Sequence, residues 1–134
     1  MGTFRVDATV SNLQDRGRGV TLGLLVGTGA TYTTLPREVA DALGLEPIDT
    51  RRIRLADGRE ELWPIAAILL RVGEQVCPSL ALIGRPGGPA LLGAVTLEEL
   101  SLGVDPSGRR LIPTTSYLVS PTSVTEGLPL SRAS

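Results

Sequence analysis

The side chains of this 134-residue chain that could carry out chemistry are carboxylates, hydroxyls and guanidinium groups. Histidine is absent and all thirteen basic residues are arginine, which excludes serine–histidine and cysteine–histidine catalysis and lysine Schiff bases. A metal site built from histidine or thiolate ligands is excluded too, because the chain has one cysteine. We expect that residue, Cys77, to be a buried and inert thiol within a strand.

The stretch LLVGTGATYT, residues 24–33, joins an apolar run to a loop through two glycines separated by a threonine. An elbow of this kind usually presents backbone groups or side chains to a cleft. A dinucleotide-binding loop would need a third glycine where Tyr32 stands and a helix soon after it, and neither is present. A sharp turn without chemistry is the plainer interpretation if the elbow stands alone.

The elbow lies among segments whose patterns are typical of strands. Residues 3–10 alternate between apolar and polar side chains, which predicts a half-buried strand, and Asp57-Gly58 is a strong signal for a tight hairpin. The loop 84–89 is too rich in glycine and proline to form a strand. The strands predicted in this way are 3–10, 20–26 after a polar turn at 11–19, two within 50–72, 75–83, 90–93, 102–105 and 109–113.

Two short helices are predicted. The first covers residues 36–45, because Pro36 suits a first helical position and Gly44 is a typical helix stop. The second begins at Thr96, whose spacing from Glu99 is typical of a capping box. The residues expected to face inward from the first helix are Val39, Ala42 and Leu43.

A weak internal repeat relates the elbow to a second place in the chain. The elbow sequence Leu-Leu-Val-Gly leads through the first helix, and Leu91-Leu92-Gly93 leads in the same way through the second. Each half is therefore a strand, a glycine elbow and a short helix. We expect a mainly β domain made of two related halves.

Three features in this order resemble the retropepsin-type aspartic proteases, which are single-lobed relatives of the retroviral enzymes. That family carries two apolar residues and then Asp-Thr/Ser-Gly-Ala, and residues 25–31 match this signature at every position except the aspartate. Leu91-Leu92-Gly93 match its second-half signature, and the hairpin 55–64 around Asp57-Gly58 matches its flap. The resemblance covers approximately residues 3–113.

The resemblance implies a mainly β fold, a closed barrel or acid-protease half-lobe with a flap hairpin and one or two short helices. It also implies an aspartic endopeptidase that needs neither metal nor cofactor and acts on a peptide or protein substrate. Two aspartates that share a proton must face each other in such a site. Since each chain offers one elbow, the resemblance implies a homodimer whose two-fold axis passes through the site.

Carrying the family pattern over residue by residue gives a set of site residues. Thr28 would support the elbow across the dimer axis, and small residues beside it would allow a peptide backbone to approach closely. Trp63 would cover the substrate or pack at the base of the flap, and Arg51, Arg52 and Arg54 fit a solvated strand edge better than a specific site. The catalytic elbow is Gly27, Thr28 and Gly29; the substrate-binding residues are Ala30, Thr31, Asp57, Gly58 and Trp63; the second-half signature is Leu91, Leu92 and Gly93.

Gly27 stands where the family has its catalytic aspartate. Glycine holds no proton and carries no charge, so the sequence predicts that this chain does not hydrolyse peptides. The otherwise intact signature favours an engineered Asp-to-Gly change. The alternative is a natural pseudoprotease that keeps the groove as a peptide-binding or interaction module.

Charge and hydropathy set the remaining expectations. The net charge of −1 gives no electrostatic footprint for nucleic acid or an anionic membrane surface, so we expect neither as a partner. No signal peptide or membrane-spanning apolar run is apparent, so we expect a cytoplasmic protein. We expect one domain over residues 1–113 and a flexible tail over 114–134, which is rich in serine, threonine and proline.

Overall fold

The computed structural model describes residues 2–105, 107–116 and 118. Within these residues it is mainly β, as predicted, with two short helices. The tail predicted for 114–134 falls mostly outside them. The strands are β1 (Phe4–Asn12), β2 (Asp15–Val26), β3 (Thr33–Leu35), β4 (Asp49–Arg54), β5 (Glu60–Val72), β6 (Gln75–Ile83), β7 (Leu102–Asp105) and β8 (Arg110–Pro113), and the helices are α1 (Arg37–Leu43) and α2 (Ala94–Glu99).

Six strands form one sheet in the order β2-β1-β5-β6-β3, and β4 is attached to β5 alone. β5 is the longest strand because it pairs with β4 along its first half and with β6 along its second half. The short strand β3 runs parallel to the end of β6, and β7 and β8 form a separate hairpin. No helix in the described part of the chain is long and apolar enough to cross a membrane.

Aliphatic side chains from the sheet and the helices form the core. Leu24, Ile68 and Leu70 are fully buried, and Phe4 is the one described aromatic residue in this core. Burial is the main cause that raises the pKa of the Cys77 thiol, and the thiol is buried in a strand as predicted. Tyr32, by contrast, is half-buried and lies outside this core.

The β1–β2 hairpin is longer than predicted. Residues 11–19 were expected to form a polar turn, but the ladder continues through Val10 opposite Val20 and Ser11 opposite Gly19, and the turn is at residues 13–14. Polar side chains are tolerated here because this end of the hairpin is exposed and the backbone bonds alone define the pairing.

Both helices differ from the prediction in detail. Pro36 is the N-cap of α1 instead of its first residue. Leu43 is buried as predicted and Val39 packs against the core, but Ala42 is exposed and Ala40 is buried in its place. Gly44 ends α1 with φ +67°, as its role as a stop predicts. The second helix begins two residues before Thr96, since the hydroxyl of that threonine is used inside the core.

Candidate functional site

The elbow begins where β2 leaves the core. Val26 is fully buried, whereas Gly27, Thr28 and Gly29 are exposed. The two glycines have φ values of +88° and +86°, a region that glycine adopts without strain. Thr28 Oγ1 accepts a hydrogen bond from the Ala30 N–H at 3.2 Å and so closes the turn. The elbow therefore presents backbone and hydroxyl groups, but no acid.

The second-half signature lies directly against the elbow. Leu91 exchanges two backbone hydrogen bonds with Thr34, each of 2.9 Å. Next to it, the Leu25 N–H donates to the Ala90 carbonyl and the Leu92 N–H donates to the Leu25 carbonyl, again at 2.9 Å. The two motifs lie far apart in the sequence, yet these four bonds join them into one unit.

Gly93 packs against the backbone that follows the elbow. A Cβ at this position would lie 2.2 Å from the carbonyl carbon of Tyr32 and 2.4 Å from the nitrogen of Thr33, so no side chain fits. The first two N–H groups of α2 then donate to the carbonyl oxygens of Ala30 and Thr31, at 2.9 and 3.0 Å. The start of α2 therefore holds the residues that follow the elbow in place through backbone hydrogen bonds.

A chain of buried hydroxyl groups continues from this contact. The Gly93 N–H donates to Thr33 Oγ1 at 3.1 Å, and the Thr33 hydroxyl donates to Thr96 Oγ1 at 2.7 Å. Thr96 then donates to Ser79 Oγ at 2.8 Å, because the Ser79 proton goes to Glu99 Oε1 at 2.6 Å. Thr33 and Thr96 are fully buried, so their hydroxyl groups must form hydrogen bonds with other groups of this network.

Sequence reasoning did not find these hydroxyl groups. Thr96 was predicted to be the N-cap of its helix, but the N-cap is Gly93 and no side chain caps that end. The available signal was Ser79 within the largely apolar strand β6, since a buried hydroxyl needs a partner.

The β4–β5 hairpin forms as the Asp57-Gly58 signal predicts. Gly58 has φ +89°, and the Leu55 N–H donates to the Arg59 carbonyl at 2.7 Å. The Asp57 carboxylate accepts from the Arg59 backbone N–H at 3.0 Å and pairs with its guanidinium at 2.7 Å, and these contacts lower the pKa of Asp57. The hydrogen bonds of Asp57 therefore stabilise the turn of the hairpin.

Trp63 is part of β5 at the base of this hairpin, and its ring lies beside the loop 84–89. Its ring is half-buried, and a Cβ at Gly84 would lie 3.3 Å from the ring edge. Its indole N–H donates to Glu61 Oε1 at 2.8 Å, and Glu61 also accepts from the Arg85 guanidinium. The bond from Trp63, followed by the charge of Arg85, holds the pKa of the Glu61 carboxyl below its ordinary value.

Arg51 differs from its two neighbours in the predicted basic cluster. Arg52 and Arg54 both pair with Glu60. Arg51 instead pairs with Asp49 at 3.0 Å, and its interaction with the Tyr32 side chain, ahead of the one with Asp49, raises the pKa of Arg51. Tyr32 belongs to the loop that follows the elbow, so this interaction links β4 to that loop.

No carboxylate of the described residues is hydrogen-bonded to the elbow at Gly27. A side chain at this position would project toward the N-terminal residues, because a Cβ there would lie 3.3 Å from the Gly2 carbonyl oxygen and 3.7 Å from the Thr3 Cα. Asp7 is exposed on β1 opposite Gly23, away from the elbow.

The comparisons with known proteins agree with this geometry. The family model described as aspartyl protease matches residues 7–105, a range that includes the elbow, the β4–β5 hairpin and the second-half signature. No curated protein matches the chain significantly.

Proposed function

Because the chain belongs to the aspartyl protease family, we propose that it forms one half of an endopeptidase site, completed by a second copy of the same chain. Peptide hydrolysis by carboxylates uses two of them across a cleft, one as general base on a water and the other as acid. One elbow per chain supplies one position for such a group. A homodimer with its two-fold axis between the elbows supplies both.

The observation that supports this proposal is the apposition of the two signature motifs. Four backbone hydrogen bonds of 2.9 Å join Leu91 and its neighbours to β2 and β3, on either side of the elbow. Position 93 has no room for a side chain, so this packing requires glycine, the residue of the family's second-half signature. A β-turn formed by chance would need neither feature.

The roles of individual residues follow from their surroundings. Thr28 would meet its counterpart near the axis, while Gly29 and Ala30 would leave space for a peptide backbone. Thr31, in the exposed stretch after the elbow, would face the substrate, and Trp63 would form the wall of the cleft at the base of the hairpin. Asp57 and Gly58 would shape the tip of the flap. Residues 1–113 would form this protease-like domain and 114–134 its tail.

With Gly27 in place of an aspartate, the site has no group that can activate water. The chain is therefore inactive, and an engineered change of a parent endopeptidase accounts for its otherwise intact signature. One observation favours the second candidate, a natural peptide-binding module. Gly27 has φ +88°, where an L-amino acid is strained, so this elbow suits glycine better than aspartate.

The test is the Gly27→Asp chain, assayed for peptide cleavage at acidic and neutral pH with and without pepstatin. Gly27→Asn is the matched control, because it adds a side chain of the same size without an acid. Cleavage by the aspartate variant alone, inhibited by pepstatin, supports the endopeptidase. A folded dimer that binds peptides without cutting them would favour the binding module.

A further inference from the structure

The sheet has a second face, opposite the core. In β1 and β5, alternate residues are buried in the core, namely Ala8, Val10, Ile68 and Leu70. Because successive side chains of a strand point to opposite faces, the residues between these four point away from the core. On this second face Thr9 lies opposite Arg71, and Ser11 lies opposite Leu69. Polar and apolar side chains of two neighbouring strands are therefore brought together there.

A cavity of about 210 Å³ lies on this face, where β1 and β5 meet the first residues of β2 and β6. Two guanidinium groups, two hydroxyl groups and two aliphatic side chains line it, and no carboxylate does. The lining residues are Arg16, Arg71, Thr9, Ser11, Leu69 and Val76. The cavity is therefore positively charged and partly apolar.

The two arginines of the cavity differ from most other arginines of the protein. Six arginines in the described part of the chain form an ion pair with a carboxylate. Arg16 and Arg71 take part in none of these pairs, and their guanidinium groups form no hydrogen bond with another described residue. Both side chains are exposed at the mouth of the cavity. Their N–H donors are therefore available to an anion that enters it.

Ser11 provides an independent sign of a ligand. It is only 9% exposed, yet its hydroxyl forms no hydrogen bond with another described residue, whereas the hydroxyl of Thr9 is bonded to that of Thr21 at 3.1 Å. Gly19 lies opposite Ser11 on β2, and a Cβ at Gly19 would come within 2.8 Å of the Ser11 Oγ. Glycine thus leaves this hydroxyl uncovered. Because buried hydroxyl groups almost always have a partner, the Ser11 hydroxyl points to a polar group that enters the cavity.

We propose that this cavity binds the phosphoryl group of a small phosphomonoester. At neutral pH such a group carries a charge of about −2 and three acceptor oxygens, which two guanidinium groups and one hydroxyl match. Arg16 and Arg71 would bind the oxygens at the mouth and Ser11 would donate from the floor, while Leu69 and Val76 would contact the carbon part of the ester. A carboxylate has one charge and two oxygens, so it would leave a donor without a partner. None of the elbow residues lines the cavity, so this site does not depend on the proposed function.

The test is a titration of the isotope-labelled chain with phenyl phosphate at neutral pH and low ionic strength, followed by two-dimensional NMR of the backbone amides. We expect the shifts to concentrate at the residues that line the cavity. Arg71→Gln and Arg16→Gln should each raise the Kd about ten-fold, and Ser11→Ala about five-fold. Arg37→Gln is the matched control, because it removes the same charge from an exposed residue of α1 that does not line the cavity. It should change the Kd by less than about two-fold.

Absence of shifts at the cavity residues would overturn the site, and so would a Kd that is the same in both arginine variants as in Arg37→Gln. The arginine variants change exposed side chains only, so they decide the question even if Ser11→Ala fails to fold. Benzoate has the same ring with a carboxylate in place of the phosphoryl group. We expect it to bind at least about ten-fold more weakly, and equal binding would refute the assignment to a phosphoryl group.

Discussion

The buried hydroxyl chain beneath the elbow makes a quantitative prediction. Thr96→Val keeps the shape of the side chain and removes one hydroxyl, which accepts from Thr33 at 2.7 Å and donates to Ser79 at 2.8 Å. The hydroxyl proton of Thr33 then has no acceptor, and Thr33 is fully buried, so water cannot replace it. An unsatisfied buried polar group costs about 1–3 kcal/mol, so we expect a loss of about 2 kcal/mol in the free energy of unfolding. For a domain of this size the melting temperature falls by about 5–10 °C.

The assay is urea and thermal unfolding followed by circular dichroism, with Thr34→Val as the matched control. Thr34 is also buried, but its hydroxyl makes a single bond of 3.2 Å to the Tyr32 carbonyl. The control should therefore lose less stability than Thr96→Val. The double variant Thr33→Val/Thr96→Val should lose less than the sum of its single changes, because the two hydroxyls are partners. A loss for Thr96→Val no larger than that of the control would refute the hydroxyl chain.

Two further predictions concern packing and pH. Gly93→Ala places a Cβ 2.2 Å from the carbonyl carbon of Tyr32, so we expect it to destabilise the fold by about 3 kcal/mol. Gly17→Ala is the control, because its Cβ would make only an ordinary contact of 3.6 Å with Asp15 Oδ1, and it should be nearly neutral in the same unfolding assay. Equal losses of stability in the two variants would contradict this packing. The hydrogen bond from the Gly87 N–H lowers the pKa of Glu38 in the folded protein. The stability that this contact contributes is therefore complete above the ordinary pKa of a glutamate, and it is lost as the pH falls through the lowered pKa of Glu38. Glu38→Gln should therefore lose less stability than the wild type on acidification, and parallel stability–pH curves would contradict the assignment.

Local signals in the sequence were enough to predict most of the sheet. The strand alternation in 3–10 and the turn at Asp57-Gly58 depend on neighbouring residues only, and both hairpins form accordingly. The resemblance to the family signature predicted the elbow and Leu91-Leu92-Gly93 as its two motifs, and the family model matches residues 7–105, a range that includes both. These features are readable because turn geometry and burial impose them residue by residue.

The parts that were missed depend on contacts between distant residues. The start of α2 was misplaced because Thr96 resembles an N-cap in isolation, and only the fold reveals that its partners are Thr33 and Ser79. Glu61 and Arg85 are 24 residues apart, so nothing in the local sequence marks them as a pair. Burial and pairing across elements are properties of the assembled chain and not of a short window.

The central claim is that two copies of this chain share one site, to which each contributes the residue at position 27. The most direct measurement is the cleavage rate of Gly27→Asp chains equilibrated with increasing fractions of the wild-type chain at constant total protein. Because only dimers with two carboxylates cut, the rate should follow the square of the variant fraction and fall to about one quarter in an equal mixture. A rate that falls in proportion to the variant fraction, to about one half in that mixture, would contradict the shared site.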